Sequence, residues 1–146
     1  LKVFKQRWYV LAASEYPDGR LSVYSLDRFS AMGRTDEKYE IPEDFDIDEH
    51  FRLYYGVSGR LDAKAEIIRL RIDASQVKFF RTLPLHPSQT EIETTDAYSV
   101  FEYYMIPTFE LTKEILSNTP YIEVLLPQSL REEIKEKVKK MGERYK

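Results

Sequence analysis

Hydrophobic and polar residues alternate weakly along the first third of the chain, and the pattern predicts a small antiparallel sheet. Residues 3–13 are largely apolar on both faces, as in a strand that is covered on two sides. A turn follows at residues 16–19 (YPDG), where Pro fixes φ and Gly accepts a positive φ. Residues 21–26 alternate again and complete a hairpin. We expect a third extended segment at residues 29–33, and further strands from outside this chain, because so few strands bury too little apolar surface.

A short helix and a connector are predicted next, at residues 45–62. Asp46 is placed to cap the helix, and Glu49 three residues later completes a capping-box pattern. Gly56 is expected to end the helix, because glycine accepts the left-handed conformation common there. Residues 56–62 (GVSGRLD) have the composition of a flexible connector.

From residue 63 the pattern is more regular and predicts the order strand–helix–strand–strand–helix–strand, with a helix at the end. The predicted strands are residues 64–72, 90–94, 98–106 and 121–126, and the predicted helices are residues 74–82, 109–118 and a last one that starts near Pro127. Asp73 and Thr108 are in position to cap the first two helices. This order is typical of the ferredoxin-like split-βαβ fold, with both helices on one face of an antiparallel sheet.

Composition narrows the class of protein. A chain of 146 residues with 42% hydrophobic residues suffices for one ordinary domain or two small ones. The sequence has no run of 18 apolar residues and no signal-peptide pattern, so we expect a cytoplasmic protein. The absence of cysteine excludes disulfides and thiolate metal sites. A net charge of −3 argues against nucleic-acid binding over the whole surface but leaves room for a local basic patch.

Motifs of enzymes and metal sites are missing from the sequence. It contains no GxSxG, P-loop, GxGxxG or HExxH pattern, and residues 46–49 lack the glycine and spacing of an EF-hand. His86 has His50 as the only other histidine, so we expect His86 to bond its own loop between Pro84 and Pro87. We therefore expect no enzyme activity, no metal and no cofactor.

The pair Trp8-Tyr9 raises the question of a ligand site. Alternation places the two rings on opposite faces of a strand. Trp8 has Val10 and Ala12 beside it, which favours a core position over a ligand contact, although both remain open. Tyr9 is the better candidate for the functional face, because a phenol tolerates a wet edge.

Basic residues surround these rings and predict a groove for a nucleic-acid strand. Arg28 can present a guanidinium fork to phosphate, or form a local ion pair with Asp27. Rings that stack on bases and cations that follow the backbone are the usual means of binding single strands. The candidate ligand-binding residues are Tyr9, Arg28, Arg7, Lys5, Tyr24, Arg20 and Trp8.

An ordered set of segments resembles the WYL-domain family. The segments are RWYVLAAS, VYSLDRF after the PDG turn, EIPEDFD, PLHPSQ, FELTKEIL and EVLLPQSLREEIKEKV. The signature appears here as Trp8-Tyr9-Val10, with valine in place of leucine. The resemblance implies an α+β protein: a partial Sm-like or SH3-like β-barrel at 1–44, the helix and connector at 45–62, and a ferredoxin-like C-terminal extension at 63–146.

The resemblance also implies a function. WYL-domain proteins regulate transcription in bacteria, and the barrel is regarded as an effector-sensing module without enzyme activity. The expected partners are a nucleotide or single-stranded nucleic acid as effector, operator DNA through a helix-turn-helix that precedes Leu1, and a second copy of the chain. Ser22 departs from the pattern, because the family commonly has arginine there. The alternative is an oligomerisation module without a ligand, which uses the exposed sheet of residues 64–126.

Overall fold

The computed structural model describes residues 1–13, 21–36, 38, 43, 45–58 and 63–146. These residues form two compact units, residues 1–52 and residues 53–146. No helix among the described residues is both long enough and apolar enough to span a bilayer.

The first unit contains a three-stranded antiparallel sheet in the order β1-β2-β3. Its elements are β1 Lys2–Phe4, β2 Arg7–Ala13, β3 Leu21–Ser25, a 3₁₀ turn Leu26–Arg28 and α1 Ile47–Phe51. The predicted cap of α1 is confirmed, because the Asp46 carboxylate accepts hydrogen bonds from the amides of Asp48 and Glu49, at 2.8 and 3.1 Å. The predicted pairing of the strands on either side of residues 14–20 is also confirmed.

Two details of the first sheet differ from the prediction. The segment 3–13 is not one strand, because Lys5 and Gln6 adopt positive φ values of 45° and 64° and reverse the chain between β1 and β2. Positive φ at both central residues is the conformation of the tight type I′ hairpin turn, which usually selects Asn-Gly. Residues 29–33 do not form a strand, since the 3₁₀ turn redirects the chain after β3. The predicted turn at 16–19 lies outside the described residues.

The second unit has the predicted element order. Its elements are β4 Glu66–Asp73, α2 Ala74–Thr82, β5 Thr90–Thr94, β6 Tyr98–Met105, α3 Phe109–Ser117, β7 Ile122–Leu126 and α4 Gln128–Glu143. All neighbouring strands are antiparallel, in the order β5-β6-β4-β7. The predicted caps form, since Asp73 accepts from the Ser75 amide at 2.9 Å and Thr108 from the Leu111 amide at 3.2 Å.

One face of this sheet carries the core of the second unit. The buried cluster combines alternate strand residues with apolar residues of α2, α3 and α4; its members include Ile68, Leu70, Ile72, Phe101, Tyr103, Met105, Val77, Phe80, Leu111, Ile115 and Leu130. Alternation along β4 and β6 sends the residues between them, such as Arg69 and Glu102, to the opposite face. The prediction that both inner helices pack on one face is therefore confirmed.

The first part of the predicted connector is fixed to the second unit. The Leu53 carbonyl accepts a hydrogen bond from the Ile106 amide at 2.8 Å, and the Ser58 amide donates to Glu110 Oε1 at 3.0 Å. Gly56 does not end α1, which stops at Phe51. Instead it has a φ of 96° and lies so close to α3 that a Cβ atom would stand 2.7 Å from Cγ of Glu110. Residues 59–62 lie outside the described residues.

Candidate ligand pocket on the first sheet

Trp8 and Tyr9 lie on opposite faces of the first sheet, as alternation requires. Trp8 stands opposite Val3 on β1, whereas Tyr9 stands opposite Lys2. On the Tyr9 face, the ammonium of Lys2 lies 4.1 Å from the ring centroid of Phe51 in α1. The helix therefore contacts the face that carries Tyr9.

The face that carries Trp8 is the open one. The indole is 54% exposed, and Val3 and Tyr24 on the same face are also exposed. Tyr24 belongs to this face because it stands opposite Val10, which alternates in phase with Trp8. The prediction that Trp8 fills a core is wrong, because within residues 1–52 no described element buries its ring. The two exposed rings, Trp8 and Tyr24, form an apolar surface suited to stacking.

A pocket lies at the end of this sheet, where the turn between β1 and β2 approaches the 3₁₀ turn. It has a volume of about 340 Å³, opens to solvent and is lined by Gln6, Arg7, Trp8, Leu26 and Asp27. The positive φ of Gln6 reverses the chain at its rim. The pocket thus combines an aromatic ring, an amide, a cation and a carboxylate.

Asp27 supplies the negative charge of the pocket and pairs with Arg7. Its Oδ2 lies 3.4 Å from Nη1 of Arg7, and its Oδ1 accepts a hydrogen bond from the Ser25 hydroxyl. The hydrogen bond from Ser25 holds the pKa of Asp27 below its usual value, and the charges of Arg7 and Arg28 act in the same direction. Asp27 is therefore ionised at neutral pH, and the Arg7–Asp27 pair carries no net charge.

The structure brings only part of the predicted site together. Trp8 and Arg7 line the pocket, and Tyr24 lies on the same face as Trp8. Arg28 follows Asp27 in the 3₁₀ turn, and Lys5 lies in the turn beside Gln6 with its ammonium 5.8 Å from the Phe4 ring. Tyr9 faces the other side of the sheet, and Arg20 lies outside the described residues.

Sequence reasoning missed Gln6, Leu26 and Asp27 as pocket residues. The sequence suggests Asp27 only as an ion-pair partner of Arg28, whereas in the structure Asp27 pairs with Arg7. The available signal was the strand register: the pairing of Tyr9 with Ser25, continued by two residues, sets Arg7 against Asp27. That register was not evident without the position of the turn.

In the second unit, His86 bonds within its own loop, as the sequence predicted. It is buried, and its Nδ1 lies 2.8 Å from the Ser88 hydroxyl and accepts a hydrogen bond from the Ser88 amide. No group of three or more His, Asp or Glu side chains suited to a metal ion occurs among the described residues.

The face of the second sheet opposite the core carries ion pairs and exposed apolar side chains. Arg69 and Glu102 pair at 2.8 Å, and Glu123 binds both Arg71 and Arg131. Ile67 and Tyr104 stand opposite each other and are 41% and 48% exposed.

One family model matches the chain, and it agrees with the resemblance to WYL-domain proteins. The family model of the WCX domain, a WYL-associated C-terminal domain, matches residues 64–142. No curated protein matches the chain. A solved structure that matches is proteasome accessory factor B/C (PafBC) of Arthrobacter aurescens, with 17% identity and a TM-score of 0.39, over 88% of this chain and 19% of that one. The chain thus spans about a fifth of that protein. Because the WCX model covers more than half of the chain, the protein belongs to the WCX-domain family.

Proposed function

We propose that the chain is the ligand-sensing part of a WYL-type transcription regulator. In this proposal, the first unit belongs to an Sm-like or SH3-like barrel that binds a nucleotide or single-stranded nucleic acid. The second unit is a ferredoxin-like domain that passes the signal on. The protein acts by binding, without enzyme activity.

The second unit supports the fold part of the proposal. Its strand order β5-β6-β4-β7, with α2 after β4 and α3 after β6, is that of the split-βαβ arrangement. The three antiparallel strands of the first unit are consistent with one part of a small barrel. The WCX match supports a place for this unit C-terminal to a WYL domain.

The observation that carries the ligand part is the exposed indole of Trp8 beside Arg7 in an open pocket. An aromatic ring of this size costs free energy when it remains in water. A tryptophan that is 54% exposed next to a cation therefore supports a ligand-binding surface at this place. Bases stack on aromatic side chains irrespective of sequence, and basic residues interact with the phosphates. Arg28 and Lys5, which flank the pocket residues in sequence, supply further positive charge.

The remaining partners follow from the same proposal. Operator DNA is bound by a domain that precedes this chain in the whole protein. A second copy of the chain associates through the open face of the second sheet, where Ile67 and Tyr104 are exposed. The alternative function is an assembly module without a ligand. The observation that favours it is this exposed surface.

A titration of fluorescently labelled single-stranded DNA at about 50 and 200 mM salt tests the proposal. With two phosphate contacts, the association constant should fall about sevenfold between the two salt concentrations, because bound counterions are released. Trp8→Ala should weaken binding about 5- to 150-fold, the usual loss for one stacked base. Phe79→Ala removes an exposed ring from the second unit and is the matched control, with no change expected.

The opposite result identifies the alternative. A protein that associates with itself in sedimentation but binds no DNA at either salt concentration is an assembly module. If Trp8→Ala leaves DNA binding unchanged, the ligand binds outside this pocket.

A further inference from the structure

We propose that the pocket on the first sheet selects guanine, and that Asp27 determines this specificity. The inference rests on the proposed function, since it concerns which base of a nucleotide or single strand enters the pocket. It is carried by three features of the pocket: its charge, its ring and its hydrogen-bond acceptors.

The charge of the pocket favours a base over a phosphate. Among the described residues that line the pocket, Arg7 is the one cation, and the carboxylate of Asp27 lies 3.4 Å from its guanidinium. An anionic phosphate placed here would gain the attraction of Arg7 and meet the repulsion of Asp27 at a similar distance. A neutral base avoids this repulsion, while the phosphates can remain outside the pocket.

The ring and the apolar wall provide the stacking site. Trp8 is 54% exposed, and Leu26 contributes an aliphatic wall to the same pocket. Purines have the larger ring system and therefore gain more contact with an indole than pyrimidines do. This feature favours a purine but does not separate guanine from adenine.

The carboxylate of Asp27 makes that separation. An ionised carboxylate only accepts hydrogen bonds, and its two oxygens offer about four lone-pair sites. The Ser25 hydroxyl uses Oδ1 and Arg7 lies against Oδ2, so each oxygen keeps capacity for one more donor. In this proposal, the two oxygens of Asp27 act as parallel acceptors for a base that stacks on Trp8.

Guanine is the base whose edge matches two parallel acceptors. Its N1–H and its 2-amino group are adjacent donors, whereas adenine and cytosine each place an acceptor beside their amino group and thymine has a single N–H. The side-chain amide of Gln6, at the rim of the pocket, is a donor for guanine O6. Protein carboxylates discriminate between bases through such contacts, by about 5- to 150-fold for a bidentate pair.

The experiment compares short oligothymidines that differ in one central base. The probes carry guanine, hypoxanthine or adenine at that position, and binding is measured by fluorescence anisotropy. We expect the guanine probe to bind about 5- to 150-fold more tightly than the adenine probe. The hypoxanthine probe, which lacks the 2-amino group, should be intermediate.

Variants separate recognition from structure. Asp27→Asn replaces one acceptor by a donor, so the preference for guanine should disappear. Arg7 loses its anionic partner in this variant, so binding of plain oligothymidine should persist and become more dependent on salt. Asp36→Asn, which changes another exposed aspartate of the first unit, should keep the preference and serves as the control. Circular dichroism verifies that both variants are folded.

The outcomes distinguish the two proposals. Equal binding of all three probes would overturn guanine selection and leave the nucleic-acid function standing. A preference that Asp27→Asn retains would overturn the role of Asp27. The absence of salt-dependent binding to any probe would overturn both.

Discussion

The indole of Trp8 is half exposed on a sheet face that also carries exposed Val3 and Tyr24. Its removal should therefore have a small effect on folding. We expect Trp8→Ala to lower the free energy of unfolding by about 1 kcal/mol or less, as for most surface substitutions. Phe101→Ala, at a site that is 1% exposed, should cost about 3–5 kcal/mol. Urea unfolding followed by far-ultraviolet circular dichroism measures both.

The two possible results for Trp8→Ala have opposite meanings. A small loss of stability together with weaker DNA binding is the behaviour of a ligand contact. A loss of stability similar to that of Phe101→Ala would mean that the indole is part of a core, as its neighbours Val10 and Ala12 suggest from the sequence.

The roles of single residues could be predicted from the sequence where those roles depend on neighbouring residues in the chain. Asp46, Asp73 and Thr108 cap helices as expected, because a cap involves amides two or three residues away. The roles of Trp8 and Asp27 depend on elements that are distant in sequence. Whether a ring is covered, and which strand residue faces a carboxylate, are properties of register and packing.

At the scale of elements, a bidentate ion pair joins α2 to β5. Nε and Nη2 of Arg81 donate to the two carboxylate oxygens of Glu91, at 2.9 and 2.6 Å. The hydrogen bonds from Arg81 lower the pKa of Glu91 to about 2, from an ordinary value of 4.5. The folded protein therefore keeps this carboxylate charged at a pH where the unfolded chain protonates it.

The ion pair predicts how stability changes with pH. Because the pKa of Glu91 is lower in the folded state, its contribution is complete above pH 4.5 and is lost as the pH falls towards 2. Both side chains are partly exposed, so Glu91→Gln should cost about 1 kcal/mol or less at pH 7. The difference from the parent should shrink progressively between pH 4.5 and 2 in urea unfolding.

A control variant and one contrary result test this prediction for the Arg81–Glu91 ion pair. Glu143→Gln, at the exposed end of α4, is the matched control and should leave the free energy of unfolding at pH 7 unchanged. A Glu91→Gln deficit that stays constant down to pH 2 would show that the residue acts through packing and not through its charge.

The elements of the second unit could be predicted almost completely, and those of the first could not. β4 alternates between exposed and buried residues over most of its length, and the helices after β4 and β6 begin at strong caps, so periodicity and local chemistry agree there. The hairpin of the first unit turns at Lys5-Gln6, a pair without the usual signal for positive φ. Residues 3–13 are largely apolar on both faces, and from this pattern the sequence predicted a single strand.

At the scale of the whole molecule, residues 53–58 belong structurally to the second unit. Besides the bonds at Leu53 and Ser58, the Thr108 hydroxyl donates to the Tyr55 carbonyl at 2.7 Å, and the Tyr55 hydroxyl donates to Glu114 at 2.7 Å. Val57 is 3% exposed. The segment therefore acts as a strap that ties α3 to the chain that precedes β4.

Two shortened proteins test whether this strap is part of the folding unit. We expect the chain that starts at Leu53 to fold and unfold cooperatively, because it contains the whole second unit. The chain that starts at Lys64 loses the burial of Val57, worth about 1.5–3 kcal/mol, and several hydrogen bonds worth about 1 kcal/mol each. Its free energy of unfolding should be lower by about 3 kcal/mol or more, measured in urea at pH 7. Equal unfolding midpoints for the two chains would mean that the strap adds nothing to the fold and that the unit begins with β4.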